Sequence, residues 1–127
     1  MSDIPSGLPH RPTARVLLLD AEDRILLMRG RLPGGSDRDG AWFTVGGGLE
    51  PGEDWLDAAA RVIAEETGIA DAVLGPIVWA RRGVLHIPHP TWFDERYIVA
   101  RCAGAEPSRD GWQALEHELI DDIRWWR

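Results

Sequence analysis

Lysine is missing from this chain: all 14 basic residues are arginine. That excludes a lysine Schiff base and a phosphate-loop lysine. Positive charge is also in the minority, with 21 Asp and Glu giving a formal net charge of −7. Sequence-independent binding to a nucleic-acid polymer depends on neutralising backbone phosphates, so no such polymer is expected as partner. An acidic chain that handles phosphate needs a metal ion or local arginines. Cysteine occurs once, at Cys102, so no internal disulfide can form and a reducing cytoplasm suits the chain. Cys102 sits in an apolar run and is expected to be packed rather than reactive. No apolar run approaches the roughly 18 residues of a membrane span, and the N-terminus lacks the charged-then-apolar pattern of a signal peptide. No membrane partner and a cytoplasmic location are therefore expected. There is no internal repeat or low-complexity stretch.

The 127 residues present suit one domain, 1–127, with one core. Residues 1–12 hold three prolines and a glycine and read as a loose arm. Apolar runs at 13–19 and 24–29, separated by Asp20-Ala21-Glu22-Asp23, read as a hairpin. Their continuous apolar character predicts burial on both faces of a sheet. Residues 30–40 form a loop rich in glycine, aspartate and arginine, with Arg29, Arg31 and Arg38 around it. It reads either as a solvated loop or as a grip in which guanidinium forks hold phosphate oxygens. Strands are predicted at 41–45, 73–82, 91–103 and 122–126, a loop at 83–90, and a short helical turn at 112–118. His86 and His89 lie in that loop with spacing too poor for a metal site, and the loop is placed near a substrate. Of seven tryptophans, most should be core anchors. Trp42, Trp79 and Trp92 lie beside loops and are the candidates for stacking on a flat ligand.

The densest information lies in residues 42–69, WFTVGGGLEPGEDWLDAAARVIAEETGI. Gly46, Gly47 and Gly48 read as a loop that lets the backbone pass close to a bound group. Glu50-Pro51-Gly52-Glu53 is a tight turn. Asp54 is placed as a helix N-cap with Asp57 three residues on. Residues 55–67 contain neither glycine nor proline and hold four alanines, which predicts a helix, and Gly68 is its left-handed end. Helical spacing puts Leu56, Ala59, Ala60 and Ile63 toward a core. Glu65 and Glu66 stand near Arg61 and repel each other unless a divalent cation intervenes. Magnesium takes such carboxylates together with substrate phosphates.

This stretch resembles the Nudix box, G-x5-E-x7-R-E-U-x-E-E-x-G-U, with U a bulky aliphatic residue. Gly47, Glu53, Arg61, Ile63, Glu65, Glu66, Gly68 and Ile69 match at the right spacing. Val62 departs, standing where the family has a glutamate that is commonly a metal ligand and in some members the general base. The resemblance implies an α/β fold, an α/β/α sandwich around a mixed β-sheet. In the family a further helix usually follows the Trp125-Trp126 strand; this sequence stops at Arg127, so it reads either as a truncated form or as a chain that lacks that helix, with the sheet face covered by a partner or left open. Apolar surface near Leu17, Trp125 and Trp126 is then expected to be exposed, or covered in a homodimer.

By resemblance, the chain is a magnesium-dependent hydrolase, with manganese as an alternative ion, acting on a nucleoside diphosphate linked to another group. Glu65 and Glu66 would hold the cation with the Gly46 carbonyl, and Glu53 and Arg61 would brace them. A base from outside the box would come from Glu95, Glu116 or Glu118. Arg29, Arg31, Arg38 and Trp42 are the candidate substrate-binding residues. Val62 supports a second reading, a Nudix-fold module that binds a nucleotide-type small molecule without cleaving it.

Overall fold

The structure is a computed structural model that describes residues 7–30, 40–86 and 89–127, apart from the side chains of Leu85, His86, Leu115 and Glu118. Its elements run β1 His10–Leu19, β2 Ile25–Gly30, β3 Ala41–Gly48, α1 Trp55–Thr67, β4 Val73–His86, β5 Pro90–Arg101, α2 Ala114–Leu119 and β6 Ile120–Trp126. The strands form one mixed sheet in the order β4-β5-β1-β3-β2-β6. β1 and β5 are parallel; the other pairs are antiparallel.

The expected hairpin survives only at its corner. β1 and β2 share the single pair Leu19↔Ile25, because β3 inserts between them. The turn itself is built on Asp20, whose Oδ1 accepts from the Glu22 and Arg24 N–H groups, both at 2.9 Å. β1 starts at His10, inside the segment read as a loose arm, since the parallel ladder to β5 begins at His10↔Trp92. Residues 1–6 lie outside the described set.

Side chains alternate along the strands. Val16, Leu18, Leu26, Met28, Val45 and Ile98 are fully buried on one face, each contributing about 1.5–3 kcal/mol relative to exposure. Leu17, Leu19, Ile25 and Leu27, between them, are only half-buried. Continuous apolar runs therefore do not mean equal burial on both faces here. α1 covers the first face, while among the described residues the only other helix is α2, six residues long and packed beside β6. No helix follows β6 in this chain. Trp126 is exposed as expected, at 37%, while Leu17 and Trp125 are half-buried rather than open. The largest apolar exposure lies instead on β4, at Val73 (71%) and Trp79 (62%), because β4 is an edge strand with β5 on one side only.

α1 is bounded as predicted. The Asp54 carboxylate accepts from the Asp57 N–H at 2.8 Å, and Gly68 turns left-handed at φ 69°, a conformation that costs glycine little. Its inward stripe is different from the one read off the sequence. Ala58, Ala59, Val62, Ile63, Glu66 and Thr67 are buried, whereas Leu56 is 42% exposed and Ala60 is exposed. The cause is a close approach at Gly47. A Cβ on Gly47 would stand 2.9 Å from Val62 Cγ1, so α1 rests on β3 through a residue without a side chain. No helix among the described residues is long and apolar enough to cross a membrane.

Candidate active site

The glycines predicted as a loop are the last three residues of β3, paired with β1 through Arg15↔Gly46, Ala14↔Gly47 and Thr13↔Gly48. The β2–β3 ladder stops earlier, at Leu27↔Thr44. Beyond that point the Gly46 N–H donates to Glu66 Oε1 at 3.2 Å. Sheet and helix thus meet through a backbone amide and a buried carboxylate.

Arg61 ties the rest of the motif together. Its Nε donates to Glu53 Oε2 at 2.8 Å and its Nη2 to Glu53 Oε1 at 2.9 Å, a bidentate fork. Nη2 also reaches the Gly48 carbonyl at 2.8 Å, and Nη1 the Glu65 carboxylate at 3.2 Å. Glu53 in turn accepts from the Glu50 N–H at 3.0 Å. The Arg61 guanidinium, helped by that backbone donor, holds the Glu53 carboxyl down at about 2. One arginine therefore fixes the turn before α1, the end of β3 and one of the paired glutamates.

Glu66 sits in the opposite electrostatic condition. It is 9% exposed, and its carboxyl is pushed up to about 7, chiefly by burial, with Glu116 and Glu65 adding repulsion against the Gly46 N–H and Arg15. Burial and like charge both disfavour the ionised form. A divalent cation beside it would relieve both. Glu65 and Glu66 offer the hard oxygen donors such a cation takes, with water and substrate phosphates filling the remaining positions. The fit is to two carboxylates. Val62 lies one helical turn before Glu66 and is 2% exposed in the core, and no grouping of three His, Cys, Asp or Glu suited to a metal occurs among the described residues.

The last turn of α1 is held by the residues that lead into α2. Ser108 N–H donates to the Thr67 carbonyl at 2.6 Å, and the buried Trp112 Nε1 donates to the Glu66 carbonyl at 2.6 Å. These satisfy carbonyls that a helix C-terminus leaves without partners. Trp112 stands two residues before α2 and so anchors the helix that carries Glu116. Its only sequence signal was its size.

The other candidates separate clearly. Glu116 contributes to the field at Glu66, and its carboxylate also accepts from the Gln113 N–H at 3.2 Å. Glu95 is buried and bound by Arg15 Nε at 2.9 Å. Arg29 is engaged by Asp121 at 2.6 Å. Trp42 packs edge-on to Trp126 at 4.9 Å, with the Arg124 guanidinium over its ring. Arg29 and Trp42 are cross-strand neighbours, and Trp42 stands about 14 Å along β3 from Gly46 at 3.4 Å per residue. Trp79 is exposed and leans on Tyr97 at 5.0 Å. Arg31, Arg38 and the Glu118 side chain lie outside the described residues, as does the side chain of His86, which belongs to β4 rather than to a loop. Cys102 is buried and free, and burial raises its thiol.

Comparison with known proteins agrees with this geometry. The NUDIX domain family model matches residues 9–127. An RNA pyrophosphohydrolase of Novosphingobium aromaticivorans is 37% identical over 87 residues, 68% of this chain and 52% of that protein. An RNA pyrophosphohydrolase of Rhizobium meliloti is 37% identical over 70 residues, 53% of this chain and 42% of that protein. The chain thus spans about half the length of these curated relatives, or less. A NUDIX hydrolase structure from Nitrosomonas europaea superposes with a TM-score of 0.70 at 20% identity, covering 93% of this chain and 72% of that one; this likeness is one of fold. With the family model matching from just before β1 to the last residue, over a glycine strand and helix that hold the motif residues as described, this chain belongs to the Nudix family.

Proposed function

We propose that this protein is a magnesium-dependent pyrophosphohydrolase that cleaves a phosphoanhydride bond in a nucleoside diphosphate linked to another group, with manganese as an alternative ion. The observation that carries the reading is Glu66, a buried carboxylate held at the Gly46 N–H and destabilised by burial and by Glu116 and Glu65. Glu65 and Glu66, with the Gly46 carbonyl, would hold the ion. When bound, the ion supplies charge neutralisation at the phosphoryl oxygens and makes water a better nucleophile.

The chain's own residues do the rest. Arg61 and Glu53 keep the end of β3 and the Glu65 carboxylate in place. Water attacks phosphorus, the anhydride P–O bond breaks, and the proton of the attacking water passes to a carboxylate. Of the candidate bases whose side chains are described, Glu116 is the better placed, since Glu95 is committed to Arg15. The curated relatives carry the name RNA pyrophosphohydrolase, so RNA belongs among the substrates tested. The net charge of −7 favours a small nucleotide-type substrate over a polymer. The reading includes a single catalytic unit spanning the chain, in a reducing cytoplasm that suits the buried Cys102. Self-association is also part of it, supported by the exposed apolar side chains of β4.

Phosphorus NMR over a panel of nucleoside diphosphate derivatives and a 5′-triphosphate RNA, with magnesium, manganese or EDTA, tests the reading. Hydrolysis should require the ion, and Glu116→Gln should lower kcat by about 10²–10⁴ with little change in ion affinity. Val62, where the family has glutamate, favours a second reading, a nucleotide-binding module. Magnesium-dependent nucleotide binding with no hydrolysis of any panel member would select it.

A further inference from the structure

Of the seven large apolar side chains that stand exposed among the described residues, five belong to β4: Val73, Ile77, Val78, Trp79 and Val84. β4 is also 14 residues long, against about 5–6 for an ordinary strand, and it pairs with β5 alone. A long apolar edge is a template for another chain. Val73, Trp79 and Arg81 share the sheet face opposite α1. They pair with Arg101, Tyr97 and Glu95 of β5, which alternate with the core residues Ile98 and Ala100. Arg81 forms no ion pair among the described residues, since Glu95, opposite it, is bound by Arg15 at 2.9 Å.

The first half of this edge is guarded. The β4–β5 register slips between Leu74 and Ile77 and again between Ile77 and Trp79, and Pro76 has no N–H to donate. An arbitrary strand gains little by pairing there. The second half, Trp79 to His86, is regular, but a second copy laid antiparallel on it gathers Arg81 and Arg82 of both chains. Like charges opposite one another are destabilising. One alignment of the strand with itself escapes both difficulties. Residues 71–81, DAVLGPIVWAR, are self-complementary about Pro76. Laid antiparallel on its own copy with Pro76 at a two-fold axis, the segment sets Arg81 against Asp71, Trp79 against Val73 and Ile77 against Gly75. Opposite charges meet at the ends, each large side chain meets a smaller residue, and the residue without a donor sits against itself. Asp71 is exposed, and its Oδ2 accepts from the Ala103 N–H at 3.0 Å, which holds the carboxylate at the start of β4.

We propose that two copies of this chain associate through β4, antiparallel, about a two-fold axis at Pro76. The proposal rests on the self-association reading above and gives it a place on the molecule. The contact is isologous, so every pair occurs twice: two Arg81–Asp71 ion pairs flank two Trp79–Val73 contacts. Trp79 is 62% exposed and brings on the order of 100–150 Å² from each copy. The contact is an edge rather than a face, at the low end of specific interfaces, below roughly 1,200 Å² in total. The expected product is a reversible dimer with a Kd of about 10–100 μM.

Sedimentation equilibrium of the full chain in EDTA, from low to high micromolar concentration, measures the dimer without reference to hydrolysis. Arg81→Asp and Asp71→Arg should each weaken it by at least about tenfold, because like charges then meet at both ends. The double exchange, carrying both substitutions, should restore the parent Kd to within about threefold. Trp79→Ser should weaken the dimer by at least about tenfold. A cysteine at the axis reads the placement. Pro76→Cys, combined with Cys102→Ser, meets its own copy at the roughly 4.5–5.5 Å Cα separation of paired strands, which suits a disulfide. It should give a covalent dimer under mild oxidation, whereas Ala64→Cys, exposed on α1, should crosslink far more slowly. Melting curves confirm folding, and if a single charge variant unfolds, the double exchange and the crosslink decide. A dimer indifferent to both charge reversals, a double exchange no tighter than the single variants, or crosslinking that favours Ala64→Cys overturns the β4 contact and leaves self-association to another face. A chain that stays monomeric at every concentration removes self-association itself, and the β4 contact with it.

Discussion

Glu66→Gln should make the metal-free protein more stable while removing its use for a cation. Glu66 binds its proton more tightly in the folded chain, where its pKa is about 7, than in the unfolded chain, where it titrates near 4.3. The native state therefore holds more protons across that window, and stability falls as pH rises through it. By pH 8 the loss is complete. At 1.36 kcal/mol per pH unit, a displacement of about 2.7 units amounts to about 3.7 kcal/mol. Glutamine keeps the shape, and its Oε1 can still accept from the Gly46 N–H, but it carries no charge. The variant should match the parent near pH 4 and exceed it by about 3–4 kcal/mol at pH 8. For a chain of this size that is on the order of 10 °C in Tm. Urea unfolding in EDTA between pH 4 and 8.5 measures the difference directly. Magnesium should then reverse the order. The parent gains about 4.1 kcal/mol at a thousandfold excess over Kd, and the variant gains little. Parallel stability curves in EDTA, or a variant weaker than the parent at pH 8, would show that Glu66 is not a strained buried carboxylate and would sink this account of the site.

Three other perturbations follow from the same geometry. Val62→Glu puts a carboxyl into a site that is 2% exposed, and keeping it neutral at pH 7 costs about 3–4 kcal/mol. A urea midpoint within about 1 kcal/mol of the parent in EDTA would show that the site is open to water. Glu53 is held at about 2, chiefly by Arg61, so its contribution is present above about pH 4.5 and is lost as pH falls through 2. Glu53→Gln should flatten that acid limb in a circular-dichroism titration, and an unchanged limb contradicts the brace. Trp112→Phe leaves the buried Glu66 carbonyl without its donor, a loss of about 1–3 kcal/mol. Combined with Glu116→Gln it should show non-additive kcat effects, whereas simple additivity would mean that Trp112 does not position α2.

What could be read from the chain was local. Asp54 and Gly68 mark the ends of α1 because an N-cap acceptor and a left-handed residue each act within one turn. The Arg61 spacing from Glu53 and Glu65 likewise describes neighbours on one helix and its preceding turn. The orientation of α1 was not legible, since apolar residues occur all round it and Leu56 is as good a candidate as Val62. What decides the matter is Gly47, which lets Val62 approach from a different element. The glycines resemble a loop by composition, yet pairing with β1 makes them strand. Arg29 and Trp42 looked available because Asp121 and Trp126, their partners, lie far away in the sequence.

The parallel ladder between β1 and β5 bears on how the protein is made. β1 runs through the middle of the sheet, with β3 on one edge and β5 on the other, and its pairing with β5 spans His10↔Trp92 to Leu19↔Arg101. During synthesis β3 follows soon after β1, but the partner for the second edge arrives about 50 residues later. At typical elongation rates that is roughly 3–10 s. Through that interval Val16 and Leu18 sit on a strand with an open side, a template for pairing with another nascent chain. A destabilising change in β5 should therefore reduce the yield of soluble protein at high expression more than its equilibrium stability alone would suggest.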